Sequence, residues 1–205
     1  AVLIAGPTAS GKTALAIARA RQSGARIVNA DSMQVYGVLD RLTARPNADE
    51  LARAHHEMFG HVDPSVRYST GAWLADAHKQ IQEADKENQE LIFVGGTGLY
   101  FDALVNGFAQ VPAIDPEFVA EAEKLIQERD EAGRMALLVE RDPETARRLK
   151  VADPQRVVRA LSVQMATGKT LSAFQDANGP GLLDDYALER IVLMPERGLL
   201  RRGIG

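Results

Sequence analysis

The opening of the chain, "AVLIAGPTASGKTALAIARA", constrains it more than anything that follows: an apolar run meets a glycine loop, and helix-forming residues come at once after it. Gly6 to Thr13 fits G-x-x-x-x-G-K-[ST] between a strand and a helix, the context this pattern requires. The loop Gly6, Pro7, Thr8, Ala9, Ser10 and Gly11 is expected to turn its backbone N–H groups inward. The helix behind it adds partial positive charge at its N-terminus. Lys12 is placed to neutralise phosphate oxygens, and the Thr13 hydroxyl to ligate Mg²⁺. A chain that opens this way holds phosphates.

Short apolar runs at Val2-Ala5, Arg26-Ala30 and Glu90-Val94 read as buried parallel strands, with Ile191-Met194 as a fourth. Helical segments separate them, one from Lys12 and one capped by Ser69. This alternation predicts an α/β fold: a P-loop NTPase-like parallel sheet flanked by helices. Between Pro112 and about Leu183 the pattern changes. Asp115-Pro116-Glu117, Asp142-Pro143-Glu144 and Asp153-Pro154 each set a capping carboxylate before a proline. The first helix is expected to end near Gly133 and the last at Gly168. Three helices with no strand between them read as a small all-helical insertion, 112–183, in a core made of 1–111 and 184–205.

The 205 residues are 45% hydrophobic and 25% charged, which suits a globular protein with a real core. No run of eighteen apolar residues occurs, so no membrane partner is expected. Neither a basic leader nor a small-residue cleavage site is visible, and the absence of cysteine suits a reducing compartment; a cytoplasmic protein is expected. A net charge of −4 argues against a surface coated in nucleic acid, so a partner of that kind needs local basic patches.

An NTPase needs an apolar strand ending in an acid for the metal, yet "ELIFVGGTGLY" ends in Gly95-Gly96-Thr97. The acid stands elsewhere: Asp31, in "RIVNADSMQVY", follows the second strand at the sheet edge where ligands bind. A carboxylate there serves as metal ligand, general base or loop cap. Thr97 faces the same crevice, either donating to an anionic oxygen or sitting in a plain strand-to-helix turn. In "DPQRVVRALSVQMATG", Arg156 and Arg159 share one helix face, with Val157, Val158 and Leu161 near the other. Around them Arg141, Arg147, Arg148 and Lys150 outnumber Asp142, Glu144 and Asp153. This is either a surface for a phosphate-rich partner or a solvated face. His55, His56 and His61 lack a carboxylate in helical register and read as a polar loop, and Trp73 reads as core packing.

The order of "GPTASGKT", "NADSMQVY", "VGGTGLYFDAL" and "DPQRVVRAL" resembles the tRNA dimethylallyltransferases, as do the shorter "ARP", "YST" and "LMPER". That resemblance covers nearly the whole chain. It implies a P-loop that holds dimethylallyl diphosphate rather than a nucleoside triphosphate such as ATP, with Mg²⁺ at Thr13. It implies catalysis by Asp31, Thr97 and Lys12, with Asp31 taking the proton of an adenine N6 amine. It further implies tRNA contacts from Asp31, Ser32, Met33, Gln34 and Thr97, and from Gln155, Arg156, Val157, Val158 and Arg159 on the insertion, to the anticodon stem-loop. A monomer is expected. Two departures stand out. Family members continue past this chain's last strand with a segment that adds tRNA contacts and an arginine near the diphosphate, and Val119 stands where a basic residue is frequent. Adenylate isopentenyltransferases share the P-loop half, and small-molecule P-loop kinases and phosphate-binding regulatory modules share the loop.

Overall fold

A computed structural model of the chain describes residues 1–38 and 43–196. It divides into two compact units, Ala1–Gly107 with the chain from Pro180 onward, and Phe108–Gly179. Arg197, which ends the "LMPER" stretch, and the residues after it lie outside the described residues.

The first unit carries β1 (Val2–Ala5), α1 (Lys12–Ser23), β2 (Arg26–Asn29), α2 (Ala48–Leu51), β3 (His56–Glu57), α3 (Thr70–Lys86), β4 (Leu91–Gly95), α4 (Gly98–Asn106) and, at its far end, β5 (Glu189–Val192). The strands form one parallel sheet in the order β3-β2-β4-β1-β5. Side chains alternate across it, as the period of a strand dictates. Val2, Ile4, Ile27, Ile92 and Val94 pack on one face against Ala16, Ile17 and Ala20 of α1. Leu3, Val28, Leu91 and Phe93 pack on the other with Trp73, Ala77 and Ile81 of α3 and Tyr100 and Leu104 of α4. Because every strand points the same way, all their carboxyl ends open on a single edge.

Two expectations change here. His56 and Glu57 are an edge strand paired with Ile27 and Val28 rather than part of a loop, a pairing too short to give a periodic signal. The last strand is Glu189–Val192, in register with Val2–Ala5 and earlier than Ile191-Met194. Its exposed Glu189 ties down to α1 through Arg19, whose second guanidinium nitrogen donates at 2.7 Å.

The second unit holds α5 (Pro116–Ile126), α6 (Glu131–Arg141), α7 (Pro143–Arg148), α8 (Pro154–Thr167) and α9 (Leu171–Asp176). Its edges fall before Phe108 and after Gly179 because Leu183 is buried in the first unit's core, and its N–H donates to the Leu104 carbonyl. Asp115 and Asp153 cap α5 and α8 as expected, and Gly168 closes α8 at φ 70°. Gly133 does not end a helix. Its N–H donates to Asp130, which caps α6. The centre of the unit is Asp142, which caps α7 through Thr145 N–H at 3.0 Å and accepts from the Ser172 hydroxyl at 2.6 Å and the Thr145 hydroxyl at 2.7 Å.

Burial pushes the Asp142 carboxyl upward, but the bonds from Ser172 and Thr145 outweigh it and leave it below the usual carboxylate range. A folded value below the unfolded one stabilises the unit above about pH 4. That stability is lost as pH falls from there through the depressed folded value. Asp142→Ala is expected to remove about 2–4 kcal/mol, the sum of a lost cap and orphaned buried partners. Urea denaturation of both proteins at pH 7 and at pH 3 measures it, and the difference between them should shrink at the lower pH.

Candidate active site

The loop between β1 and α1 is shaped by two left-handed residues, Ala9 at φ 62° and Gly11 at φ 86°. This alternation bends successive peptides so that their N–H groups point to a common concavity. Gly6 has no room for a side chain, since a Cβ there would lie 2.6 Å from the Leu193 carbonyl oxygen. Lys12 begins α1, is 8% exposed and folds back to donate to the Pro7 carbonyl at 2.9 Å. Burial pulls the Lys12 ammonium below its ordinary value, and the charge of Asp31 partly restores it. The Ser10 hydroxyl is buried in the same loop and has no hydrogen-bond partner among the described residues.

The ends of β2 and β4 are locked together. Ala30 N–H donates to Val94 O at 2.8 Å, Thr97 N–H donates to Ala30 O at 3.2 Å, and a side chain on Gly95 would collide with that same Ala30 carbonyl. Glycine is therefore obligatory at Gly95 for the two strand ends to close. The closure brings Thr97 onto the "DSMQ" turn, where its hydroxyl accepts from Ser32 N–H at 2.9 Å and donates to Ser32 Oγ at 3.2 Å. Asp31 is both cap and candidate base. Its Oδ1 accepts from Met33 N–H at 3.0 Å, while its Oδ2 faces Gly96, where an added Cβ would lie 3.2 Å away. Beneath it the Tyr100 phenol is pushed up to about 12, by burial first and then by Tyr36 and Asp31.

The other expected residues divide. Met33 is 51% exposed at the turn, whereas Gln34 is buried and its amide donates to Thr43 O at 2.8 Å. On α8, Gln155, Arg156 and Arg159 are exposed. Val157 lies wholly inside the helical core with Ala160 and Leu161, and Val158 is partly buried against the same cluster, so these two hold the helix down. Part of the basic surplus is neutralised within the unit, since Arg148 pairs with Glu144 at 3.1 Å and with Asp176 at 2.7 Å, and Arg147 with Glu144 at 2.5 Å. His55 pairs with Glu57, His56 with the Ala54 carbonyl and His61 with the Tyr68 hydroxyl. Trp73 is fully buried, stacked on Tyr100 at 4.1 Å between ring centroids. Sequence reasoning passed over Asn29 and Tyr100. The signal for Asn29 was a polar residue inside an apolar strand, which a buried site must satisfy.

A parallel sheet flanked by helices, with a G-x-x-x-x-G-K-T loop at one strand end and a carboxylate at another, places the chain among α/β proteins with a P-loop sequence. Within that class it belongs to the IPP transferase family, whose model matches residues 34–205. A tRNA dimethylallyltransferase of Rhizobium meliloti (strain 1021) is 46% identical over 204 residues, covering 98% of this chain and 66% of its own. One from Methylobacterium sp. (strain 4-46) is 49% identical over 205 residues, covering 100% and 67%. The chain thus spans about two thirds of the length of such relatives. A crystal structure of a eukaryotic dimethylallyltransferase acting on tRNA matches with a TM-score of 0.76 at 26% identity, over 99% of this chain and 53% of that one. The tRNA isopentenylpyrophosphate transferase of Bacillus halodurans matches at 0.52 and 31%, over 82% and 56%. Among the described residues no helix is long and apolar enough to cross a membrane.

A lysine ammonium that faces a bound anion makes a charge-assisted bond worth about 1.5–3 kcal/mol. Lys12→Ala is therefore expected to weaken inorganic pyrophosphate binding about 10- to 100-fold by titration calorimetry. Unchanged affinity would remove Lys12 from the phosphate site.

Proposed function

We propose that the chain carries the catalytic part of a tRNA prenyltransferase. It moves a dimethylallyl group from dimethylallyl diphosphate to the N6 amine of the adenosine beside the anticodon. The observation that carries this reading is the convergence, in an IPP transferase family member, of the Lys12 loop with Asp31 and Thr97 on one sheet edge. The curated relatives named tRNA dimethylallyltransferase support it.

In the reaction the bond from carbon-1 of the donor to the diphosphate oxygen breaks, and a bond from adenine N6 to that carbon forms. The departing diphosphate gains charge, which the loop N–H groups meet in place and Lys12 neutralises. Thr97 adds a donor when its hydroxyl turns from Ser32. The N6 lone pair is delocalised into the ring, so the amine attacks well only as its proton leaves, and Asp31 accepts that proton. The adenine reaches the crevice by leaving its stack, as substrates of base-modifying enzymes do.

Mg²⁺ fits the residues present. The Thr13 hydroxyl, in the first turn of α1 behind the loop, is a hard oxygen donor of the kind that shares Mg²⁺ with a substrate's phosphates. When bound it would supply charge neutralisation to the leaving diphosphate. On α8, Arg156 and Arg159 contribute to holding the anticodon stem-loop, where single-stranded bases are accessible.

Incubating the protein with unmodified tRNA and dimethylallyl diphosphate, then digesting the tRNA, is expected to yield N6-dimethylallyladenosine by mass spectrometry. Product on AMP alone, or none on tRNA, overturns the reading. Asp31→Asn is expected to lower kcat about 10²–10⁴-fold with little change in donor affinity. Recovery at high Mg²⁺ would make Asp31 a metal ligand instead, and a near-normal rate would leave it a cap. Replacing Arg156 and Arg159 with Ala should raise the KM for tRNA and flatten its salt dependence by about one unit of slope per lost phosphate contact. Normal tRNA binding across salt concentrations would reduce the pair to a solvated face.

A further inference from the structure

Asn29 ends β2 as a fully buried polar residue directly after the apolar Ile27 and Val28. Its Oδ1 accepts from Asp31 N–H at 3.0 Å, and its Nδ2 donates to Asp31 O at 3.0 Å and to Met58 O at 3.2 Å. One amide thus grips the two backbone polar groups of Asp31 and ties them to the chain just after β3. The grip has one sense only, because a reversed amide would set Oδ1 against two carbonyl oxygens. It is held from behind: Trp73 Nε1–H donates to Asn29 O at 2.9 Å, and the indole lies flat on Tyr100, the planes 9° apart.

We propose that Asn29 is a positioning residue that aims the Asp31 carboxylate into the crevice; this rests on the reading of Asp31 as proton acceptor. With N–H and C=O of Asp31 both fixed, the direction of its Cα–Cβ bond is fixed. Met33 N–H then holds Oδ1, which leaves Oδ2 toward Gly96. A turn that only had to reverse the chain would be served by the local bonds of Asp31 to Met33 and Gln34. The additional donor to Met58, and the burial of a whole amide, specify orientation instead. A catalytic group displaced by about 1 Å loses on the order of 10²-fold in rate.

The test is a double-mutant cycle on the tRNA prenylation assay. Asn29→Ala is expected to lower kcat about 10- to 100-fold while the dissociation constant for inorganic pyrophosphate stays within about twofold, since the loop that binds it is untouched. In an Asp31→Asn background, Asn29→Ala should cost nothing further, because a residue that acts through Asp31 has nothing left to position. Independent losses that multiply in the double variant would overturn the proposal and make Asn29 a pillar of the fold. Should Asn29→Ala melt below the assay temperature, Asn29→Ser, which keeps a hydroxyl toward Asp31 N–H, is put through the same cycle with the same expected non-additivity. If Asp31→Asn is slow and the Asn29 variants turn over normally, this proposal fails alone. If Asp31→Asn itself turns over normally, the proton-acceptor reading fails and takes this proposal with it.

Discussion

The site depends on the Ala30 carbonyl. It ends the ladder between the two central strands, accepts the Thr97 N–H and excludes any side chain from Gly95. Without that close approach the loop after β4 would stand away from the turn after β2. Thr97 would then not reach Ser32, and the two motifs would occupy separate parts of the edge. The glycines of "VGGTG" are therefore a packing requirement before they are anything chemical. They let the backbone of one strand end lie directly on the backbone of its neighbour, and the neighbour carries Asp31.

Much of the fold was legible because it rests on period and punctuation. Short apolar runs marked the three central strands, and Asp-Pro pairs marked three helix starts in the second unit, where side-chain caps were then found. What escaped reading has physical reasons too. The strand at His56 and Glu57 is made by pairing with Ile27 and Val28, and two residues carry no period of their own. The helix start at Asp130 lacks a proline, so a continuous stretch of good helix formers hid the break before Glu131. In the site, Lys12, Asp31 and Thr97 stood out as chemistry-bearing residues at strand ends. Asn29 did not, because its role lies in which backbone groups it meets, and only a three-dimensional chain supplies those.

The arginines of the second unit show why composition overstates a binding surface. Arg147 and Arg148 are held by Glu144 and Asp176, in exposed pairs that hold little stability yet occupy the donors. Arg156 stands on α8 in the first turn after the Asp153 cap, with Val157 and Leu161 anchoring the opposite face in the core. The helix is thus a rigid mount: apolar residues fix its roll, and the roll decides which cations reach solvent.

Strand order suits one sheet edge to the two ends of the proposed displacement reaction. The phosphate loop follows β1 and Asp31 follows β2, with β4 lying between them. Adjacent strands sit about 4.8 Å apart, so the two strand ends are separated by about 10 Å. In-line transfer needs such a gap, since the leaving oxygen, the reacting carbon and the attacking nitrogen stand in a row between the groups that serve them. The intervening strand ends in Gly95 and is followed by Gly96, so neither of these two residues puts a side chain into that space. Lys12 and Asp31 reach in from the two sides closely enough to feel each other's charge. An acid at the end of β4, the place an NTPase uses for its metal, would stand in the path of the proposed transfer. Its absence there and the presence of Asp31 one strand further on are two consequences of the same geometry.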